Sequence, residues 1–285
     1  MIHRHLPVHA ATAATAGLLA LAVPGTLHAQ AAFDGTTACT QDFNTLPAHA
    51  SASGDNSGTT SFTFSNNSTL AGWYSSAGAG RASAGQQHNN GRIYSWGRDA
   101  YNSNPDAVDR ALGIYSAEGF ASTAYLGLQL QNTSGATIDS VTLAFDVEQW
   151  RQGASATTWT FSYLITASTG SQLTATGYTA DARGDAASGV TGSAKGLNGN
   201  LDANKTAVSV TLTGLDWRAG EYLWFRWASD QPGSASAPAT SAAGLGLDNL
   251  KVELTSAVPE PAAVALLAGS LVLLAGFAFR RRRAN

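Results

Sequence analysis

The run Val141-Thr142-Leu143-Ala144-Phe145-Asp146-Val147-Glu148-Gln149-Trp150 constrains this chain most, because its side-chain character alternates with a period of two. Successive side chains of an extended strand point to opposite faces. Val141, Leu143, Phe145 and Val147 therefore form one apolar face, while Asp146, Glu148 and Trp150 share the other. Tyr222–Trp227 splits likewise, with Leu223, Phe225 and Trp227 on one face and Tyr222, Trp224 and Arg226 on the other. Comparable runs span Ser61–Phe64, Arg92–Trp96, Ala111–Tyr115, Ala124–Asn132, Ser140–Trp150, Trp159–Thr166, Ala207–Thr213 and Leu245–Leu254. Clusters of Gly, Asn, Asp and Ser separate them, as turns require. Ala50–Thr60, Gln231–Ala243 and much of Asp181–Lys205 read as loops. There is neither a helical period of useful length nor an internal repeat. About ten short strands without helices predict an all-β fold, a two-sheet antiparallel sandwich of jelly-roll type.

The two ends have a different character. Arg4 and two histidines precede an apolar Ala/Leu stretch from Ala10 to Val23, which Pro24-Gly25 breaks. Small residues then stand at cleavage spacing in Leu27-His28-Ala29 and Ala29-Gln30-Ala31. A positive start, a short apolar core and such a site make a secretory signal peptide over residues 1–31. At the other end, Val258-Pro259-Glu260-Pro261 precedes the uncharged 18-residue run Ala262–Phe279, and Arg280, Arg281, Arg282 and Arg283 follow. As a helix that run is about 27 Å long, enough to cross a bilayer core. The arginines would hold its far end in the cytoplasm as a charge anchor, leaving the middle on the opposite side. The expected organisation is thus a signal peptide (1–31), an exported sandwich domain (32–257) and a C-terminal segment (258–285) containing a transmembrane helix (262–279).

Charge and cysteine content exclude several functions. Charged residues make up 12% of the chain, about half the share usual in soluble domains. Setting aside Arg4, Arg280–Arg283 and Glu260 from 16 basic and 19 acidic residues leaves a middle of net −7. Such a domain is not a nucleic-acid binder. Cys39 is the only cysteine, so the chain has no internal disulfide and no cysteine metal cage. His49 and His88 are isolated, and nothing has zinc spacing or a Ser/His/Asp arrangement.

Pro259-Glu260-Pro261 before an apolar helix and an arginine cluster closely resembles the PEP-CTERM sorting signal of Gram-negative bacteria. That resemblance implies export through the secretion translocon, removal of the leader by signal peptidase, and recognition of Pro259, Glu260 and Pro261 by an exosortase. The exosortase would cleave the tail of a protein held at the inner membrane by its C-terminal helix. The product would reach the cell surface or an exopolysaccharide biofilm matrix. The two prolines deny that segment helix hydrogen bonds, which suits extended entry into a protease groove. The middle, from about Phe43 to Leu254, resembles β-sandwich domains of other PEP-CTERM and surface proteins. The matching pieces are Leu70-Ala71-Gly72-Trp73-Tyr74, Ile93-Tyr94-Ser95-Trp96-Gly97, Arg110–Gly113, Glu148–Arg151, Arg226-Trp227 and Leu247-Asp248-Asn249.

Three kinds of chemistry merit consideration. Asp146 and Glu148 stand two apart on one face, as paired carboxylates do in hydrolases or lyases acting on polysaccharide. The competing structural expectation pairs one of them with Arg226, Arg110 or Arg151, since buried charges need partners. Trp150 and Trp224 share faces with polar residues and are the candidate carbohydrate-stacking platforms, although most sandwich tryptophans fill core. Asp248-Asn249 resembles the closing strand of carbohydrate-binding jelly rolls, which makes Asp248 the candidate ligand for Ca²⁺. Hard cations want six to eight oxygens, and no cofactor is otherwise expected. The resulting expectation is a non-enzymatic exported envelope or matrix protein. A specific carbohydrate-binding module is the first alternative, and an enzyme using Asp146 and Glu148 is the second.

Overall fold

A computed structural model describes residues 31–49, 58–84, 92–98, 108–115, 123–229 and 242–255. The expected signal peptide (up to Gln30), the sorting signal at 258–285 with its helix and arginines, and His88 lie outside these residues. The described residues form strands β1 (Ala32–Phe33), β2 (Cys39–Gln41), β3 (Thr60–Thr63), β4 (Trp73–Ser75), β5 (Ala79–Ser83), β6 (Arg92–Trp96), β7 (Ala111–Tyr115) and β8 (Ala124–Asn132). They continue as β9 (Val141–Gln152), β10 (Thr158–Thr166), β11 (Thr179–Ala180), β12 (Ala186–Ala187), β13 (Lys195–Gly196), β14 (Lys205–Leu212), β15 (Tyr222–Ser229) and β16 (Gly244–Leu254). The described residues include short 3-10 turns at Ala182–Gly184 and Asp202–Asn204. No helix among them is long and apolar enough to cross a membrane.

The strands make two sheets. One runs β1-β8-β15-β10-β11, with β4 also on β8 and β12 on β10. The other runs β13-β9-β16-β7-β6-β5-β3, with β14 also on β9 and β2 on β16. From β7 to β10, and again from β14 to β16, successive strands alternate between sheets. Pairing is antiparallel except for β1 with β8 and β5 with β6. The expected all-β, two-sheet arrangement is thus present and mainly antiparallel, with two short parallel pairs in it.

The alternation read from β9 holds in its first half, where Val141, Leu143, Phe145 and Val147 are buried and Thr142, Ala144 and Asp146 are half-buried. From Val147 onward both faces are covered. Leu126, Leu128 and Leu130 of β8 join Leu223, Phe225 and Trp227 of β15 in a core shared with Leu245, Leu247, Leu250 and Val252 of β16. Trp227 sits at its centre. Its ring meets Phe145 of the opposite sheet edge-on at 5.3 Å and stacks on Trp73 at 6.3 Å, while its indole N–H donates to Gly184 O at 3.2 Å. Burying one such aromatic contributes about 1.5–3 kcal/mol before packing terms.

Trp227→Ala should therefore cost about 3–5 kcal/mol, whereas Leu201→Ala, at a side chain 54% exposed, should stay within about 0.5 kcal/mol. Urea unfolding of both variants checks the contrast.

Candidate functional site

The outer face of the larger sheet gathers most of the chemistry-bearing residues. Registers place Arg81, Tyr94, Gly113, Gly246, Glu148 and Lys205 in one row across β5, β6, β7, β16, β9 and β14. The next row carries Ser83, Trp96, Ala111, Asp248 and Asp146. Glycine makes this face flat enough for an indole. A Cβ at Gly113 would collide with Trp96 and with Leu245 O, and Cβ atoms at Gly244 and Gly246 would come within 3.0 Å of the same ring. Trp96 therefore lies against these glycines, donates to Leu245 O at 2.8 Å and stacks on Tyr94 at 4.2 Å and 7°. Tyr115 meets Tyr94 edge-on, and Trp150 joins the same buried cluster.

Two irregularities shape β16 against β9. Gly244 pairs with Arg151 and Leu245 with Gln149, so β9 carries one extra residue, Trp150. Asp248 pairs with Asp146 and Lys251 with Ala144, so β16 carries one extra residue there. Asn249 takes the bend at φ 49°, a left-handed conformation that Asn tolerates better than most side chains, and its Nδ2 donates to Asp146 Oδ2 at 3.0 Å. Beside it, where β2 runs along β16, lies an open groove of about 350 Å³ lined by Thr40, Gln41, Asp42, Asn249, Leu250 and Lys251.

Glu148 and Asp248 are each 1% exposed. Glu148 Oε2 accepts from the Trp150 indole at 2.9 Å, and Glu148 Oε1 lies 3.9 Å from Lys205 Nζ without a hydrogen bond. Asp248 Oδ1 also has no hydrogen-bond partner. Burial pushes the Glu148 carboxyl up to about 7, against the lowering effect of the Trp150 N–H. Burial, reinforced by the Glu148 charge, pushes Asp248 up to about 8.

The expected arginine partners are engaged elsewhere. Arg110 donates to Ser95 Oγ at 3.0 Å, to Ser95 O and to Arg98 O at 3.0 Å. Arg151 turns to the Tyr115 hydroxyl. Arg226 lies in the other sheet, with its guanidinium 3.6 Å from the Tyr178 ring centre and 5.1 Å from that of Tyr125. The partners of Glu148 are instead Trp150 and Lys205, and the partner of Asp146 is Asn249. The residue Lys205 carried no signal in the sequence, because its position opposite Glu148 follows from the β14–β9 register.

Trp150 and Trp224 are both 0% exposed, which corrects the expectation that they present stacking platforms. A side chain at Gly199 would strike the Trp150 ring, so the turn before β14 lies directly over it. Trp224 packs with Tyr74, Tyr222 and Leu173 under the segment that follows β10. Arg226 clamps that segment by donating to Leu173 O at 3.3 Å and Ala175 O at 3.2 Å. Among the described residues no three His, Cys, Asp or Glu side chains converge on a metal position.

No protein-family model matches the chain, and no curated protein matches it. Among solved structures it is similar to a xylan-binding domain from CBM22, at 12% identity over 66% of this chain and 90% of that one, with a TM-score of 0.34. It is also similar to the K3 cleaved adhesin domain of Lys-gingipain from Porphyromonas gingivalis, at 13% identity over 64% and 92%, with a TM-score of 0.34. A third similarity is to the enzymatically active domain of bacteriophage CBA120 tailspike protein 4, at 9% identity over 65% of this chain and 19% of that one, with a TM-score of 0.32. Likenesses this distant carry nothing over to the chain.

Both buried carboxyls hold protons in the fold that an unfolded chain releases near pH 4, about their ordinary range. Their contribution to stability is full below that pH and is lost as pH rises through about 7 for Glu148 and about 8 for Asp248. The melting temperature should fall between pH 5 and pH 9, and Glu148→Gln should flatten that slope. Arg226→Ala should free the segment over Trp224, which increased quenching of tryptophan fluorescence by acrylamide would register.

Proposed function

We propose that the chain is an exported, C-terminally sorted envelope or matrix protein whose domain is a non-catalytic module acting alongside exopolysaccharide. The observation that carries this reading is the ordered sequence of Pro259-Glu260-Pro261, the apolar run Ala262–Phe279 and Arg280–Arg283. The last described strand ends at Leu254, and four residues, 255–258, lie between it and Pro259. The strand order supports a jelly roll. β7, β16, β9 and β14 neighbour one another in one sheet, β8, β15, β10 and β11 do so in the other, and the chain crosses between sheets as that topology requires.

A non-catalytic role fits the carboxyls. Glycoside hydrolysis needs two carboxyls about 5–9 Å apart flanking a sugar bond in an open cleft. Glu148 is covered and held by Trp150, and Asp146 is held by Asn249. The groove beside Asn249 favours a second reading, a specific carbohydrate-binding module. It offers a hydroxyl, two amides, a carboxylate and an ammonium in a space near the lower end of ligand-site sizes, about 300 Å³ upward.

Mass spectrometry of surface-associated material should find the chain without residues 262–285, and an intact tail in the mature protein would refute sorting. On a glycan array the main reading expects weak, broad binding. Saturable binding lost in Gln41→Ala and Lys251→Ala would establish the second reading.

A further inference from the structure

We propose that the pole of the sandwich where β16 ends faces the membrane while the chain is still tethered, and that its carboxylates hold it off an anionic lipid surface. This rests on reading residues 262–279 as a membrane-spanning helix. The exit point of the chain is fixed by hydrogen bonds. Leu254 and Leu212 both pair with Val141, so β16 and β14 end level with the start of β9. Ser140 Oγ donates to Leu212 O at 2.9 Å and lies 2.9 Å from Thr255 Oγ1, while Thr142 Oγ1 lies 3.2 Å from that same hydroxyl.

Only residues 256–261 separate Thr255 from the apolar run. Fully extended, the path from Thr255 to Ala262 reaches about 25 Å at most. The β9 strand, 12 residues from Val141 to Gln152, puts the opposite pole about 40 Å away from the exit point. A connector that short keeps the exit pole next to lipid and leaves the far pole pointing outward.

The segments gathered at the exit pole are tied to one another. Gly35 packs against Ser134 and Leu254. Ile138 bridges Trp217, Leu215 N donates to Asp139 O at 2.9 Å, and Gly220 N donates to Asn132 O at 2.8 Å. Their charge is mostly negative. Asp34, Asp139 and Asp216 are exposed, and Glu221 is half-buried. The cations of this region, Arg183 (which reaches Thr211 O), Arg218 and Lys251, are already paired with Asp181 at 2.5 Å, Asp216 at 2.8 Å and Glu253 at 2.7 Å. Asp34 accepts from the Thr36 and Thr37 backbone N–H groups, each at 2.8 Å, and has no cationic partner among the described residues, so it keeps its charge at the surface. An anionic leaflet repels such a pole over a Debye length of about 8–10 Å. The repulsion leaves Pro259-Glu260-Pro261 open to a membrane-embedded peptidase instead of pressed beneath the domain.

The test uses the full chain, with Cys39→Ser, in vesicles of phosphatidylcholine and phosphatidylglycerol. A donor dye is attached through Ala136→Cys at the exit pole or Ala154→Cys at the far pole, both exposed positions, and the acceptor is a headgroup dye. Energy transfer should be several-fold stronger from position 136. Asp34→Lys with Asp139→Lys should strengthen it further on anionic vesicles and leave it unchanged on pure phosphatidylcholine. Two lysines near an anionic surface add attraction worth about ten-fold or more in association. Equal or reversed transfer, or no response to the lysines, would overturn the inference while the chain still floats with the vesicles. Failure to float would overturn the membrane-spanning reading, and the orientation with it.

Discussion

The pairing of β16 with β9 is the interaction on which the rest of the molecule depends. The last strand of the fold lies in the middle of the larger sheet, with β9 on one side and β7 then β2 on the other. Its inward side chains, Leu245, Leu247, Leu250 and Val252, close the core. Its outward glycines, Gly244 and Gly246, let Trp96 lie flat against the sheet. Without β16 the sheet would divide into two pieces, each with an open edge and an uncovered apolar face. Almost all of its contacts join residues far apart in sequence, and such topologies fold slowly because loop closure precedes any gain.

The same pair of strands carries the least comfortable residues of the fold. Asp248 and Glu148 are diagonal neighbours on adjacent strands, both withdrawn from water and each with an oxygen lacking a hydrogen bond. Burying two carboxyls without a guanidinium costs more than any single hydrogen bond to them returns. Protonation is the outlet, and the raised titration ranges of both groups express it. The arginines that could have neutralised them serve as local clamps instead. Arg110 ties β6 to β7 through Ser95, and Arg226 ties the segment after β10 to its sheet.

Much of this architecture was legible in the sequence. Strands with alternation or dense aromatics, such as β6, β7 and β8, run between the residues that periodicity predicts, and β9 and β16 differ only at their ends. Short strands left no such trace. β5 reads Ala-Gly-Arg-Ala-Ser and is recruited by parallel pairing with β6, while β11, β12 and β13 are two residues each. Faces were legible too, since Trp150 and Trp224 do share sides with polar groups, as period two requires. What covers a face was not. The turn over Trp150 and the clamped segment over Trp224 are irregular pieces whose docking depends on tertiary contacts. The residue-count mismatch at Asn249 was hidden for a similar reason, because a bulge belongs to a pair of strands and not to either one.

Covering both outer faces has a consequence for what this surface can recognise. A pyranose stacks on an aromatic ring only if one face of that ring is open. Here all seven tryptophans are buried, and the described surface offers hydroxyls, amides and scattered charges beside the half-buried rings of Phe62, Tyr125, Tyr163 and Tyr178. Such groups exchange hydrogen bonds with a hydrated polymer at almost no net gain, because water already satisfies both partners. Contact of that kind is weak per residue and accumulates only when many copies meet many sugars. A sandwich with its tryptophans turned inward therefore offers no open indole face among its described residues for stacking on a sugar. Where tighter capture exists in this molecule, it requires a concave polar surface such as the groove along Thr40, Gln41 and Asn249.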